Sequence, residues 1–256
     1  MDSTTKPTII IIHGGWHVPE NYAKLTNALE SQGYEVHVPR LPSVNGARPP
    51  NADLDTDSHL VRSYVESLVR TSRTVVAIMH SYGGIVGTNA LHGLGISTRQ
   101  ALGLRGGVSH LIYMAAYAVP EGIAMIDKIT EFGHKDYLPF TVDLAEDQTC
   151  VFRDLKGLVG PGPNEKDIEE YLGLLVRWNG KCIYQATEHA AWRDIPVSYI
   201  HTTLDTTAPY DYQKSFVEVL EKNGCKVQTF QLETCHCPHF TATEGVVDII
   251  NKVILV

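Results

Sequence analysis

Ser81, Asp205 and His236 are the residues of this chain that could do covalent chemistry together. Ser81 closes the run Val75-Val76-Ala77-Ile78-Met79-His80-Ser81 and is followed by Tyr82-Gly83-Gly84. An apolar, β-branched stretch that breaks at a Ser and continues into two glycines reads as a strand, a sharp turn and a helix. The turn would hold the hydroxyl up at the end of the sheet. The spacing is close to Gly-x-Ser-x-Gly, with Met79 in place of the first Gly. A free hydroxyl barely ionises at neutral pH. It therefore needs a base, an acid to orient that base, and N–H donors for the oxyanion it creates.

Other strand ends can supply those parts. Pro196-Val197-Ser198-Tyr199-Ile200-His201 reads as a strand, and Asp205 follows just past its end. Lys226 to Leu232 reads as the next strand and leads into Thr234-Cys235-His236-Cys237-Pro238-His239. Upstream, Thr8 to Ile12 reads as a strand that runs into His13-Gly14-Gly15-Trp16, a turn rich in free backbone N–H groups. The order Ser, Asp, His is the one that strand–elbow–helix hydrolases follow. Asp211 competes with Asp205 but falls in the helix that Pro209 would start. His201 and His239 compete with His236. His201 sits at a strand end, where a core role is expected. His239 either lines the pocket or is partly exposed. Cys235, His236, Cys237 and His239 lack the Cys-x-x-Cys spacing of a loop zinc site, so no metal is expected.

The elements that carry these residues alternate between strand and helix, which predicts a mainly parallel sheet covered on both faces. A helix is expected around Tyr22 to Glu30 with Gly33 at its C-terminal end, a short strand at Glu35 to Pro39, and a helix over Asp57 to Val69. A further strand is expected at Val108 to Ala115. Between about 118 and 190 the alternation breaks. A Gly/Pro cluster at Gly157 to Pro163 and a helical pattern near Ile168 to Leu175 suggest a helical lid inserted into a single α/β domain that spans 1–256.

The chain has 256 residues, 43% hydrophobic and 20% charged, with a formal net charge of −8. That length is enough for one large core. The acidic balance argues against nucleic acid as a partner, because phosphate binding needs a basic face. Met1 to Pro7 carries no basic stretch followed by an apolar one, so no signal peptide is expected. The apolar runs are too short for a membrane span. Five scattered cysteines suit a reducing, cytoplasmic setting.

With these residues in view, the chain resembles the α/β-hydrolase superfamily. It is most similar to lidded members such as plant methylesterases, hydroxynitrile lyases and the hydrolases of secondary metabolism. The resemblance covers nearly the whole chain and rests on His13-Gly14-Gly15-Trp16-His17, His80-Ser81-Tyr82-Gly83-Gly84, Ala191 to Ile200, the Asp205 loop with Pro209, and His236-Cys237-Pro238. It implies Ser81 as nucleophile, His236 as general base and Asp205 as its orienting acid. It also implies an oxyanion hole from the backbone N–H of Tyr82 and of Gly15, with Trp16 as the alternative. Trp16 and His17 stand at the expected pocket edge or in the core beside it. Trp192 stands where the lid rejoins the core and would shape the pocket. Hydroxynitrile lyases carry Lys after the catalytic His and Thr after the first-turn His. Here those places hold Cys237 and Gly14, which argues against cyanohydrin chemistry. Ser81 stands where dehalogenases and epoxide hydrolases of this fold carry Asp.

The expected activity is serine hydrolysis of an ester, lactone or thioester of a small apolar metabolite, with no cofactor. The same parts could instead run C–C cleavage or cyclisation, or serve a ligand-binding receptor. A homodimer is compatible with the sequence.

Overall fold

The computed structural model describes residues 6–254. Met1 to Thr5, where the leader was considered, and Leu255–Val256 lie outside the described residues. The strands are β1 Thr8–Ile12, β2 Glu35–His37, β3 Thr74–His80, β4 Gly107–Met114, β5 Val142–Leu144, β6 Thr149–Phe152, β7 Trp178–Asn179, β8 Val197–Thr202 and β9 Val227–Leu232. The helices are α1 Ala23–Ser31, α2 Leu54–Arg70, α3 Gly83–Ala90, α4 Ile96–Ala101, α5 Met125–Glu131, α6 Leu138–Thr141, α7 Leu155–Val159, α8 Glu165–Gly173, α9 Tyr210–Lys222, α10 Pro238–Thr241 and α11 Thr243–Ile254.

Six strands pair in the order β2-β1-β3-β4-β8-β9, all parallel. Parallel neighbours need crossovers, and the helices that supply them cover both faces of the sheet. The central strands are apolar on both sides for that reason. In β1, Ile9 and Ile11 belong to the core shared with Leu25 and Leu29 of α1 and Val246 and Ile250 of α11. Ile10 and Ile12 point the other way, into the core that holds Val61 and Val65 of α2 and Ile85 and Val86 of α3. All four isoleucines are fully buried. α2 begins at Leu54, earlier than the apolar spacing suggests, because Asp53 caps it by accepting from the Thr56 backbone N–H.

The connection from β4 to β8 is the insertion. It carries α5 to α8 and also a three-stranded antiparallel sheet in the order β5-β6-β7, so it is not purely helical as the sequence suggested. These strands are only two to four residues long, too short to leave a period in the sequence. The neck of the insertion is clasped. Trp192 Nε1 donates to the Val119 carbonyl at 3.0 Å, and the Arg193 guanidinium grips both oxygens of Glu121 at 2.9 and 2.7 Å. Further in, Val176 N–H donates to the Trp16 carbonyl and Trp178 Nε1 donates to Ser43 Oγ, which ties the insertion to the loops after β1 and β2. Among the described residues, no helix is long and apolar enough to cross a membrane.

Candidate active site

Ser81 stands at the abrupt junction between β3 and α3 with φ +54°. A non-glycine residue in the left-handed region costs on the order of 1–3 kcal/mol, so the surroundings must enforce it. They do so by crowding. A Cβ on Gly83 would run into the Ile12 carbonyl oxygen, and one on Gly84 would lie 2.6 Å from the Tyr117 carbonyl. Only glycines let α3 start this close to β1 and to the end of β4. The Ser81 carbonyl accepts from Gly84 N–H and Tyr117 N–H, which fixes the turn from both sides.

The three sequence-picked residues converge from separate strand ends. His236 Nε2 lies 2.9 Å from Ser81 Oγ, and His236 Nδ1 lies 2.7 Å from Asp205 Oδ2. All three are buried. The Asp205 carboxylate accepts from the Thr207 and Ala208 backbone N–H groups at 2.8 and 2.9 Å, and from Thr202 Oγ1 at 3.0 Å. Gln213 on α9 locks that loop, since its amide nitrogen donates to the Ala208 carbonyl and its amide oxygen accepts from Thr202 N–H. Asp211, the competing acid, is exposed and pairs with Lys214.

A second chain of hydrogen bonds fixes the rest of the site. His80 Nε2 lies 2.8 Å from the His236 carbonyl, which can only accept, so Nε2 carries the proton. Burial among other imidazoles holds His80 well below its ordinary pKa, so the ring is neutral and Nδ1 accepts. The Tyr22 hydroxyl donates to that Nδ1 at 2.6 Å and accepts from Gly14 N–H at 3.0 Å. Tyr22 and His80 therefore join the first turn, the elbow and the His236 loop. The sequence reading left both out of the site, although their long-range pairing has no local signal to find.

The first turn is held by its own histidines. His13 Nδ1 bonds to the Gly14 carbonyl while Nε2 accepts from Leu41 N–H, and burial lowers its pKa to about 4. His17 Nδ1 bonds to the Gly15 carbonyl at 2.7 Å, and its pKa falls to about 3 for the same reason. Gly15 lies under Trp178, where a Cβ would approach the indole to 2.8 Å. Gly15, Trp16 and Tyr82 all border the cavity beside Ser81. Below Tyr82, its hydroxyl donates to Asp57, which also accepts from Ser43. Burial pushes the Asp57 carboxyl up to about 6.

The cavity over Ser81 has a volume of about 440 Å³ and is mostly apolar. Trp16 borders it as expected. His17, Trp192 and His239 do not: His17 takes the core alternative rather than the pocket edge, and Trp192 and His239 depart from the pocket-lining role expected of them. Trp192 is buried in the neck clasp. His239 is fully buried, stacks on Tyr22 at 4.1 Å and bonds through Nε2 to the Tyr171 hydroxyl at 2.7 Å. His17 is fully buried between Gly15 and Cys237. His17, Cys237 and His239 bring ligand-capable atoms within 4.8 Å of one another. The Cys237 thiol, pushed up to about 12 by burial, faces His17 Nε2 at 3.6 Å. His239 Nε2 and His17 Nδ1 are hydrogen-bonded, whereas His239 Nδ1 is buried without a partner. The walls that the sequence missed come from the insertion and α9: Phe152, Trp178, His134 and Tyr212.

The sequence pattern of the alpha/beta hydrolase family matches residues 9–249. The chain belongs to that family and is an α/β-hydrolase enzyme. It is 28% identical over 257 residues to a probable hydrolase, R7, of a Phoma species, covering 97% of this chain and 98% of that protein. It is 27% identical over 253 residues to the alpha/beta hydrolase nvfD of Aspergillus novofumigatus, covering 96% of each. Among solved structures, a methylesterase from Arabidopsis shares the fold with a TM-score of 0.75 at 17% identity, covering 97% of this chain and 98% of that one.

Proposed function

We propose that the protein is a serine hydrolase that cleaves an ester, lactone or thioester of a small apolar molecule through an acyl-enzyme. The observation that carries this reading is the continuous contact from Ser81 Oγ through His236 to Asp205 on the floor of an apolar cavity. Ser81 Oγ attacks the scissile carbonyl carbon as His236 Nε2 takes its proton. Asp205 keeps the other imidazole nitrogen protonated and steadies the imidazolium. The Tyr82 N–H, with the Gly15 N–H from the first turn, faces the developing oxyanion. The imidazolium then protonates the departing alcohol or thiol. A water gives a proton to His236 and attacks the acyl carbonyl carbon; the bond to Ser81 Oγ breaks, His236 returns the proton to that oxygen, and the acid leaves. The insertion closes over this chemistry as a lid and limits the access of bulk water. The aromatic walls favour an apolar acyl or alcohol group.

A panel of aryl esters, lactones and thioesters, followed by mass spectrometry of the released acid, tests this. The wild type should release acid from at least one class, and Ser81→Ala should lose about 10⁴-fold or more in kcat. Turnover that survives Ser81→Ala would remove the nucleophile assignment.

A further inference from the structure

The cavity is not apolar all round. Tyr117 follows β4, and its backbone N–H donates to the Ser81 carbonyl at 3.2 Å, so its position is tied to the nucleophile. The residue is only 3% exposed and borders the cavity. Among the described residues, no hydrogen-bond partner acts on its hydroxyl, and burial with Tyr212 and Asp205 nearby pushes the phenol above its ordinary pKa. A phenol kept protonated in such a place is a donor and acceptor open to whatever fills the cavity.

Tyr212 projects from α9 into the same cavity, and its hydroxyl lies 2.7 Å from Nδ1 of His134, which belongs to the insertion. The two rings stack at 5.7 Å. When Tyr212 donates to Nδ1, the neutral imidazole carries its proton on Nε2, and the Tyr212 oxygen keeps a free lone pair. The pair therefore offers one donor and one acceptor. Thr207, on the loop that opens α9, borders the cavity as well and has a buried hydroxyl without a partner. These groups contrast with Trp16, Phe152 and Trp178, which line the cavity elsewhere.

We infer that the substrate carries a second oxygen, a hydroxyl or ketone on its apolar body, which the Tyr117 and Tyr212 hydroxyls, backed by His134, take while Ser81 engages the scissile carbonyl. A site built to bond an oxygen rejects the analogue that lacks it more sharply than an apolar wall rejects a missing methylene. The Tyr212–His134 contact spans the core and the insertion, so an oxygen bound there also touches both halves of the cavity. The inference rests on the hydrolase reading only for what Ser81 does; the polar wall does not depend on acyl transfer.

The test is a binding cycle in the Ser81→Ala background, where turnover plays no part. Dissociation constants of 2-naphthol and of 2-methylnaphthalene, which differ by a hydroxyl for a methyl, are measured by tryptophan fluorescence. They are compared in that background and with Tyr117→Phe, Tyr212→Phe and both added. Each change removes one oxygen and keeps the ring, so the fold is retained. The expected result is that 2-naphthol weakens by about tenfold in the double variant while 2-methylnaphthalene stays within about twofold or tightens. A common shift for both ligands, no shift for either, or no binding of either ligand overturns the inference. Fluorophosphonate labelling of wild-type Ser81 separates the two readings. Labelling with a common ligand shift leaves the hydrolase and removes the polar wall. Separated ligands without labelling do the reverse.

Discussion

Around the turns that follow β1, β3, β8 and β9, most buried polar side chains are paired. In the insertion between β4 and β8, Trp178 and Tyr171 are buried but other aromatic side chains stand in water. Tyr22, His80, Asp205 and Gln213 are buried, and each makes at least two hydrogen bonds. Phe140 and Tyr137 of the insertion are 77% and 60% exposed. A buried hydrogen-bonded group is costly to displace, since a lost partner leaves a desolvated atom behind. An exposed ring on a short helix is cheap to move. The strand-end loops therefore fix the distances that chemistry needs, while the insertion sets what fits, and changes in the two regions should have different signatures.

The largest effects belong to the strand ends. Ser81→Ala should lower kcat by about 10⁴–10⁶, and Asp205→Asn by about 10⁴ through the wrong imidazole tautomer, with KM little changed. Steady-state kinetics on any turned-over ester check both, and a KM effect without a kcat effect would break the contrast. Next comes Gly15→Ala. Its new Cβ presses on Trp178 and should push the turn's amide away from the oxyanion, lowering kcat by roughly 10²–10³.

Acid should act on the same loops. His13 and His17 have folded pKa values of about 4 and about 3, and burial lowers His80 and His239 as well. Their depressed values mean that the unfolded chain binds more protons below about pH 6.5. This contribution is complete above pH 6.5 and is lost as pH falls toward the folded values. Asp57 opposes it, because its raised pKa of about 6 stabilises the fold as pH drops. Several histidines outweigh one carboxyl. Urea unfolding should show a loss on the order of 3 kcal/mol between pH 7 and pH 5 from His13 and His17 less Asp57, and a larger one with His80 and His239 added. A fold equally stable at both would mean that these imidazoles are not held neutral. The smallest effect lies in the insertion. Phe152→Ala should raise KM about tenfold for bulky apolar esters with kcat within about threefold, the reverse of the strand-end pattern.

The same contrast explains what was legible in the sequence. β1, β3, β4 and β8 announce themselves as apolar runs, and the turns after them carry residue types that only a sharp bend or a nucleophile requires. The elbow at Ser81, Asp205 past β8 and His236 past β9 could therefore be placed from the chain alone, and the structure brings them together. The alternation failed in the insertion because its strands are too short to show a period and its contacts are long-range. Phe152, Trp178 and His134 reach the cavity only through the tertiary fold. His17 and His239 are drawn into the interior by packing on aromatic rings, and Trp192 by its bond to the Val119 carbonyl in the neck, contacts that their neighbours in sequence do not announce. Tyr22 meets His80 across 58 residues, a pairing that neither residue's neighbours in sequence reveal.

The most direct test of the central claim is intact-mass analysis after exposure to a fluorophosphonate probe. The account predicts one adduct on the wild type, none on Ser81→Ala, and slow labelling of His236→Ala. A folded wild-type protein that takes no adduct, or an adduct that persists in Ser81→Ala, would contradict an activated Ser81.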